Sequence, residues 1–360
     1  MKHIEIYFKN IFLTLLLSFS GRRYLPKDPY SFSSASKILF VRLNRIGDAL
    51  VVTPLLSEVK KNSNVKVYVL ASQTNHIVFD DCPAVDEVIV FKKGLKGFFE
   101  ILQFIREEKF AALVDLHDDV STTVSFLIAL AKVPLKFGLK KENEKIYTHT
   151  IAKPDPAKIH VVERNLALLS LFHLKDDKNK INIVYQPKEE AFIKAETFLT
   201  KKFKEKKFLI GINISAGNEA RFWGVERYRQ LLSFFQTYNA NVLLLSSTRD
   251  LKHAIHIAVK NEPLFYSPSF AEFSAMISKL DFLFTPDTST VHLASAFKVP
   301  MFGIYVQYNT DDLPWTPYQS NYEIVLTKEP NFINLSFEEV ITKLKPFIEN
   351  YAETLLNPIL

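Results

Sequence analysis

From Lys37 onward, short apolar runs alternate with stretches whose apolar residues recur every three to four positions. The first run, KILFVRL at Lys37–Leu43, is continuous enough to predict a buried strand. The loop Asn44-Arg45-Ile46-Gly47-Asp48 follows it. A helix is predicted over Ala49–Lys61, with Val51, Leu55 and Val59 on one face and Pro54 kinking or tightening an early turn. Further strands are predicted at Val65–Ala71, Glu87–Phe91, Ala111–Leu116 and Leu135–Gly138, with helices at Leu95–Arg106, Thr122–Ala131 and Val161–Leu174. The polar, lysine-rich segment Lys175–Lys188 reads as a linker. After it the pattern restarts. Helices are expected at Glu189–Phe203, Val225–Thr237, Arg249–Lys260 and Ala271–Leu280, and strands at Phe208–Ile214, Ala240–Leu245, Asp281–Thr285 and Met301–Tyr305. A last helix, about Phe337–Leu356, opens on a capping box of Ser336 and Glu339. Repeated strand–helix units predict an α/β fold of two doubly wound parallel sheets, each Rossmann-like.

Met1–Leu25 lies outside this alternation. Ile4, Phe8, Ile11, Phe12, Leu15, Leu16 and Phe19 recur at helical spacing, with Lys2 and Lys9 among the polar positions and Arg22 and Arg23 behind them. The densest run, Ile11–Phe19, is far shorter than the roughly 20 apolar residues of a spanning helix. The segment reads either as an amphipathic helix in a membrane interface or as a helix packed on the protein itself. A signal peptide is disfavoured, because no small-x-small site is evident near Ser18–Gly21. Pro26–Ser36 reads as a polar linker.

Composition narrows the choice of partner. The 360 residues are 48% hydrophobic and 23% charged, a globular balance long enough for two cores. The net charge of +6 suits an anionic partner. Nucleic acid is not expected, because the lysines are scattered apart from Lys201, Lys202, Lys204, Lys206 and Lys207. The single cysteine, Cys82, excludes an internal disulfide and a cysteine-rich metal site. No G-x-G-x-x-G follows the first strand and no G-x-x-x-x-G-K-[ST] occurs, so neither a dinucleotide oxidoreductase nor a P-loop enzyme is supported.

Two turns carry candidate chemistry. In LDFLFTPDTSTVHLASAF, Leu280–Phe297, a strand meets a helix opening near Thr290 through a turn rich in hydroxyls. Unpaired N–H groups at such a helix start form a seat for phosphate, although Asp287 or Ser289 acting as a plain helix cap is the alternative. The loop after the first strand lies where open parallel sheets gather ligands. Asp48 sits there at a helix start, as a base or as a first-turn carboxylate. Arg42 and Arg45 are surface cations or hold an anionic substrate.

Read together, RLNRIGDALVVTPLL (Arg42–Leu56), GINISAGNEARFWGVERY (Gly211–Tyr228), FTPDTSTVHLASAFKVP (Phe284–Pro300) and HVVERNLALL (His160–Leu169) resemble the lipopolysaccharide heptosyltransferase family, glycosyltransferase family 9. The likeness runs from Lys37 to the end. It implies a GT-B fold, two Rossmann-like domains facing across a cleft. Residues 37–180 would bind the acceptor and 181–335 the donor, with 1–36 as an N-terminal helix and linker and 336–360 as a helix packing back toward the first domain. The family is inverting and uses no metal or other cofactor. It moves heptose from an ADP-heptose donor to the lipopolysaccharide core on the cytoplasmic face of the inner membrane, so a peripheral place on that membrane surface is expected.

Residue by residue, the family's general base lands on Asp48 and its donor-phosphate cation on Arg221. The donor loop D-T-x-x-x-H lands on Asp287, Thr288 and His292, with Ser289 and Thr290 between. Ser215 and Gly217 join the donor set, and Arg42, Asn44, Arg45 and Gly47 the acceptor set. Sugar transfer needs a base for the acceptor hydroxyl and a cation or helix terminus for the departing diphosphate, which these residues supply. Asp287 would repel a diphosphate at close range and is expected on sugar hydroxyls or a neighbouring donor group. His292 reads as a phosphate or sugar contact or as a packed histidine. Ser289 stands where the family usually has Gly, Arg221 where Lys is common, and Gly224 where Pro is frequent. His253 and His256 have metal-compatible spacing but no third ligand, and read as surface residues. Asp118 and Asp119 line the acceptor side or a solvated loop, and Asp250 is a candidate for ribose hydroxyls. The rivals are a GT-B transferase of another nucleotide sugar, a GT-B epimerase, and a non-catalytic membrane-tethered nucleotide-sugar binder.

Overall fold

A computed structural model of the chain describes residues 30–175, 181–258 and 262–352, together with Ile11 and Thr14. The helix expected over Met1–Leu25 therefore falls outside the described residues, those two positions excepted. The chain divides into two compact units, Met1–Val184 and Tyr185–Leu360.

The first unit is built on six parallel strands: β1 (Lys37–Arg42), β2 (Lys66–Ser72), β3 (Glu87–Phe91), β4 (Ala112–Asp115), β5 (Leu135–Leu139) and β6 (His149–Ile151). Their order is β3-β2-β1-β4-β5-β6. Val41 of β1 faces Leu70 and Asp115 in register, so the central strand is covered on both sides. Ile38, Phe40 and Val41 are fully buried, which is why this strand reads as an unbroken apolar run. The order reverses between β1 and β4, and chains leave both strands there at the carboxyl edge, the place where doubly wound sheets hold ligands.

The second unit repeats the plan with β7 (Phe208–Asn213), β8 (Ala240–Ser246), β9 (Leu264–Tyr266), β10 (Phe282–Pro286), β11 (Met301–Val306) and β12 (Tyr322–Thr327). The order is β12-β11-β10-β7-β8-β9, reversing between β7 and β10. Its core gathers Trp223, Tyr228, Phe284 and Phe302. The Trp223 indole N–H donates to the Leu335 carbonyl at 2.9 Å while its ring stacks on Phe284. That bond is the only polar demand the buried indole makes, so Trp223 packs at no desolvation penalty.

Two helices differ from the sequence reading. The expected Ala49–Lys61 helix is two helices, Ile46–Leu50 and Thr53–Ser63. Pro54 has no N–H to continue the first and fits the opening turn of the second, so the break falls just ahead of it. The stretch from Val161 is α-helical to Leu166 and tightens to 3₁₀ over Ala167–Phe172. The helix Phe337–Ala352 opens on the capping box: Glu339 accepts from the Ser336 amide at 2.8 Å and Ser336 Oγ accepts from the Glu339 amide at 3.2 Å. Val340, Leu344 and Ile348 of this helix enter the core of the second unit. Among the described residues no helix is long and apolar enough to cross a membrane.

Candidate functional site

At the reversal point of the first sheet, the chain leaving β1 passes through Leu43, Asn44 and Arg45 and enters the Ile46–Leu50 helix, whose first turn carries Asp48. Arg42, the last residue of β1, is 1% exposed and turns its guanidinium under this loop. Its Nη2 donates to Asp48 Oδ1 at 2.7 Å, its Nε to the Asp48 carbonyl at 3.2 Å, and its Nη1 to the Leu116 carbonyl. One carboxylate oxygen of Asp48 is thus fixed from below. Asp48 Oδ2 takes no hydrogen bond from any described residue, and the side chain is 18% exposed. Asn44 and Arg45 stand exposed beside it and Gly47 is half-buried. Arg42, expected among the acceptor contacts, instead has its guanidinium engaged with Asp48 and Leu116.

Beneath the loop lies a buried polar network that the sequence reading missed. Asp115, the last residue of β4, accepts from the His117 ring Nδ1 at 2.7 Å, from Lys141 Nζ at 2.8 Å and from the Tyr147 hydroxyl at 2.6 Å. His117 Nε2 accepts the Leu43 amide at 3.1 Å, which assigns the ring to its neutral Nδ1–H tautomer. Burial alone would push the Asp115 carboxyl up, but the hydrogen bonds from the His117 ring and Lys141, with the Lys141 charge, hold it well below the usual carboxylate range. A folded-state value lowered in this way contributes stability above the ordinary carboxylate range, and that contribution is lost as pH falls below it. The charge pair also ties β4 to the loop carrying Asp48 through His117 and Leu43. Lys141→Met removes one partner and leaves a buried carboxylate under-compensated, so it is expected to cost about 3–5 kcal/mol of unfolding free energy. Urea melts of the two proteins check this, with a loss under about 1 kcal/mol contradicting it.

The second sheet presents its reversal point between β7 and β10. Asn213, fully buried at the end of β7, donates to Thr285 Oγ1 at 2.9 Å and to Thr290 Oγ1 at 3.3 Å, joining β7, β10 and the Ser289–Phe297 helix. Thr288 is the N-cap, its hydroxyl accepting from the Thr290 amide at 3.3 Å. The amides of Thr288 and Ser289 donate to no described group, which leaves the anion seat of this helix start half filled by its own cap. Arg221 reaches across from the loop after β7, its Nη1 bonding Asp287 Oδ2 at 2.9 Å. Burial pushes the Asp287 carboxyl up, and the Arg221 guanidinium pulls against that shift. The pair therefore brings a cation to the turn that opens this helix, with the negative charge of Asp287 matched.

The remaining expected donor residues take distinct places. Ser215 Oγ accepts the Ser247 amide at 2.7 Å, so it braces the loops after β7 and β8. Gly217 is exposed, with open space where a side chain would stand. His292 is 3% exposed inside its helix, 6.1 Å from the Trp315 ring. Asp250 accepts from Ser247 Oγ at 2.8 Å and Arg249 Nε at 3.0 Å; burial raises its carboxyl, but these bonds outweigh it and leave the value lowered. Arg249, which no sequence argument singled out, also donates to the Ala216 carbonyl. Asp118 is held by Arg164 at 2.8 Å, and Asp119 by Lys153 at 3.3 Å. His253 stacks on Phe222 at 4.3 Å and meets Glu219 at 3.2 Å. A cavity of about 520 Å³, lined by Gln307, Asn309, Thr310, Asp311 and Lys328, opens beyond β11 and holds none of the expected site residues. The signal for Asp115 and His117 was available as polar residues closing an apolar strand at a reversal point. Asn213 carried the same signal at the end of β7.

Residues 98–345 match the sequence profile of glycosyltransferase family 9 (heptosyltransferase). The lipopolysaccharide core heptosyltransferase OpsX of Haemophilus influenzae is 24% identical over 314 residues, which cover 83% of this chain and 87% of that protein. A glycosyltransferase of family 9 from Veillonella parvula superposes with a TM-score of 0.78 at 18% identity, over 90% of this chain and all of that one. The Escherichia coli heptosyltransferase WaaC with ADP superposes with a TM-score of 0.67 at 16% identity, over 89% of this chain and 99% of that one. The two solved structures establish the same two-unit α/β architecture.

Proposed function

The chain belongs to glycosyltransferase family 9, the heptosyltransferases, and from that premise we propose an inverting transfer of heptose from ADP-heptose to the lipopolysaccharide core with Asp48 as general base. The observation that carries the reading is the asymmetric Asp48 carboxylate. Arg42 fixes Oδ1 while Oδ2 has no partner among the described residues, so a single oxygen is presented to an incoming hydroxyl. The acceptor hydroxyl oxygen attacks the anomeric carbon from the face opposite the diphosphate. Its proton passes to Asp48 Oδ2, and the electrons of the breaking C–O bond leave with ADP. The buried Arg42 positions the base, while Asn44, Arg45 and Gly47 line the acceptor. Arg221 and the Thr288 and Ser289 amides receive the charge that grows on the departing diphosphate. Asp287 orients Arg221. His292 and Thr290 shape the helix start from within, and Ser215 and Gly217 set the loop beside it. No metal is assigned a step. The acceptor is a membrane glycolipid, so the protein works peripherally on the cytoplasmic face of the inner membrane.

The experiment is release of ADP from ADP-heptose with and without a lipid A–Kdo acceptor. Release that requires the acceptor and matches its gain of heptose is expected. Conversion of the donor without acceptor would indicate an epimerase, and binding without turnover a non-catalytic binder.

A further inference from the structure

We infer that the turn and helix start at Lys92–Phe99 dock on an anionic membrane surface and bring the Asp48 loop to the acceptor's headgroup. Leu95 is 79% exposed and Phe99 62% exposed, one helical turn apart on the Leu95–Glu108 helix. Isolated exposed apolar residues are ordinary, but here two large ones stand together among cations. Lys92 and Lys93 are exposed and pair with no described carboxylate, and Lys96 is 92% exposed with Glu100 only at 3.9 Å. Two of the nine glycines in the chain let this turn take its shape. Gly94 takes φ +105°, which other residues rarely adopt, and a methyl group at Gly97 would strike the Lys92 carbonyl oxygen. Apolar side chains ringed by lysines match an interface of acyl chains beneath anionic headgroups. The sheet is parallel, so the carboxyl end of β3, where this turn begins, lies on the same edge as the carboxyl end of β1. Only β2 stands between them, a separation of about 10 Å at the usual strand spacing. A membrane under Leu95 and Phe99 therefore runs beside the loop that carries Asp48.

This deepens the proposed function by naming the surface that meets the membrane, and vesicle binding without donor or acceptor tests it apart from transfer. Full-length protein carrying Phe99→Trp is mixed with phosphatidylcholine vesicles with or without phosphatidylglycerol, the unsubstituted chain giving the background of Trp223 and Trp315. The expected result is a blue-shifted emission, quenched by brominated acyl chains, with phosphatidylglycerol present and weakened by added salt. Leu95→Ser with Phe99→Ser should lower partitioning on the order of tenfold to a hundredfold. Transfer to a short water-soluble acceptor should stay unchanged, showing that the variant is folded. Unshifted and unquenched emission, or partitioning indifferent to the double substitution, would overturn the proposal. So would light scattering in which the double substitution converts a dimer to a monomer, since the patch would then serve a second copy of the chain.

Discussion

Asp48→Asn is expected to abolish transfer while donor binding survives. Asparagine keeps the size of the side chain and an oxygen for the Arg42 guanidinium, but it has no basic oxygen for the acceptor proton. Loss of a positioned general base costs roughly 10²–10⁴ in rate. Because Oδ1 is the atom held by Arg42 at 2.7 Å, the variant also removes the charge that matches a guanidinium only 1% exposed. Some loss of stability should accompany the loss of rate. Titration with ADP-heptose separates the two effects, since the residues assigned to the donor belong to the other unit. Binding with unchanged affinity and a collapsed kcat is the expected pair. A variant that is folded and still transfers heptose at the parental rate refutes the base assignment.

Arg221→Ala should lower kcat/KM for the donor by about 10²–10³, the usual cost of losing a donor aimed at developing charge. Here the penalty has two sources. The cation that would meet the diphosphate disappears, and Asp287 loses its partner at 2.9 Å, so an unmatched carboxylate faces the anion seat. Asp287→Asn in the same background removes that repulsion and should recover part of the donor affinity without restoring kcat. Arg221→Lys keeps the charge and should lie between the parent and Arg221→Ala, since a lysine offers one point of contact where arginine offers a fork. Initial rates over a range of ADP-heptose concentrations read all three. Unchanged donor kinetics in Arg221→Ala would remove Arg221 from the leaving-group role.

The central strands and the helices between them were legible in the sequence, because burial on both faces writes a continuous apolar run. The strands missed are β6, β9 and β12, and each stands at the edge of its sheet. Their burial is partial: no residue of His149–Ile151 is buried, and in Leu264–Tyr266 only Phe265 is. Strands of three residues, as β6 and β9 are, are too short to show a period. In the candidate site, Asp48, Arg221 and Asp287 were singled out because motif and strand–turn–helix context coincided, and they lie in the turns after β1, β7 and β10. Arg42 was read as a surface cation or an acceptor contact, whereas it is buried against Asp48; a charge at the end of an apolar strand gives no sign of whether it turns outward or beneath the loop. The Asp115, His117, Lys141 and Tyr147 network spans positions 115 to 147 and forms only when β4 and β5 pair. Local spacing cannot reveal such a set. Thr288, rather than Asp287 or Ser289, caps the second-unit helix, while the Asp287 carboxylate pairs with Arg221.

Direct displacement at the anomeric carbon, by an acceptor hydroxyl that Asp48 deprotonates, inverts the configuration of the transferred sugar. The most direct measurement is the anomeric configuration of the heptose linked to the acceptor, read by one-bond carbon–hydrogen coupling in the isolated product and compared with the donor. The opposite configuration to that of ADP-heptose is expected; a linkage that retains the donor's configuration would contradict a single displacement and the role assigned to Asp48.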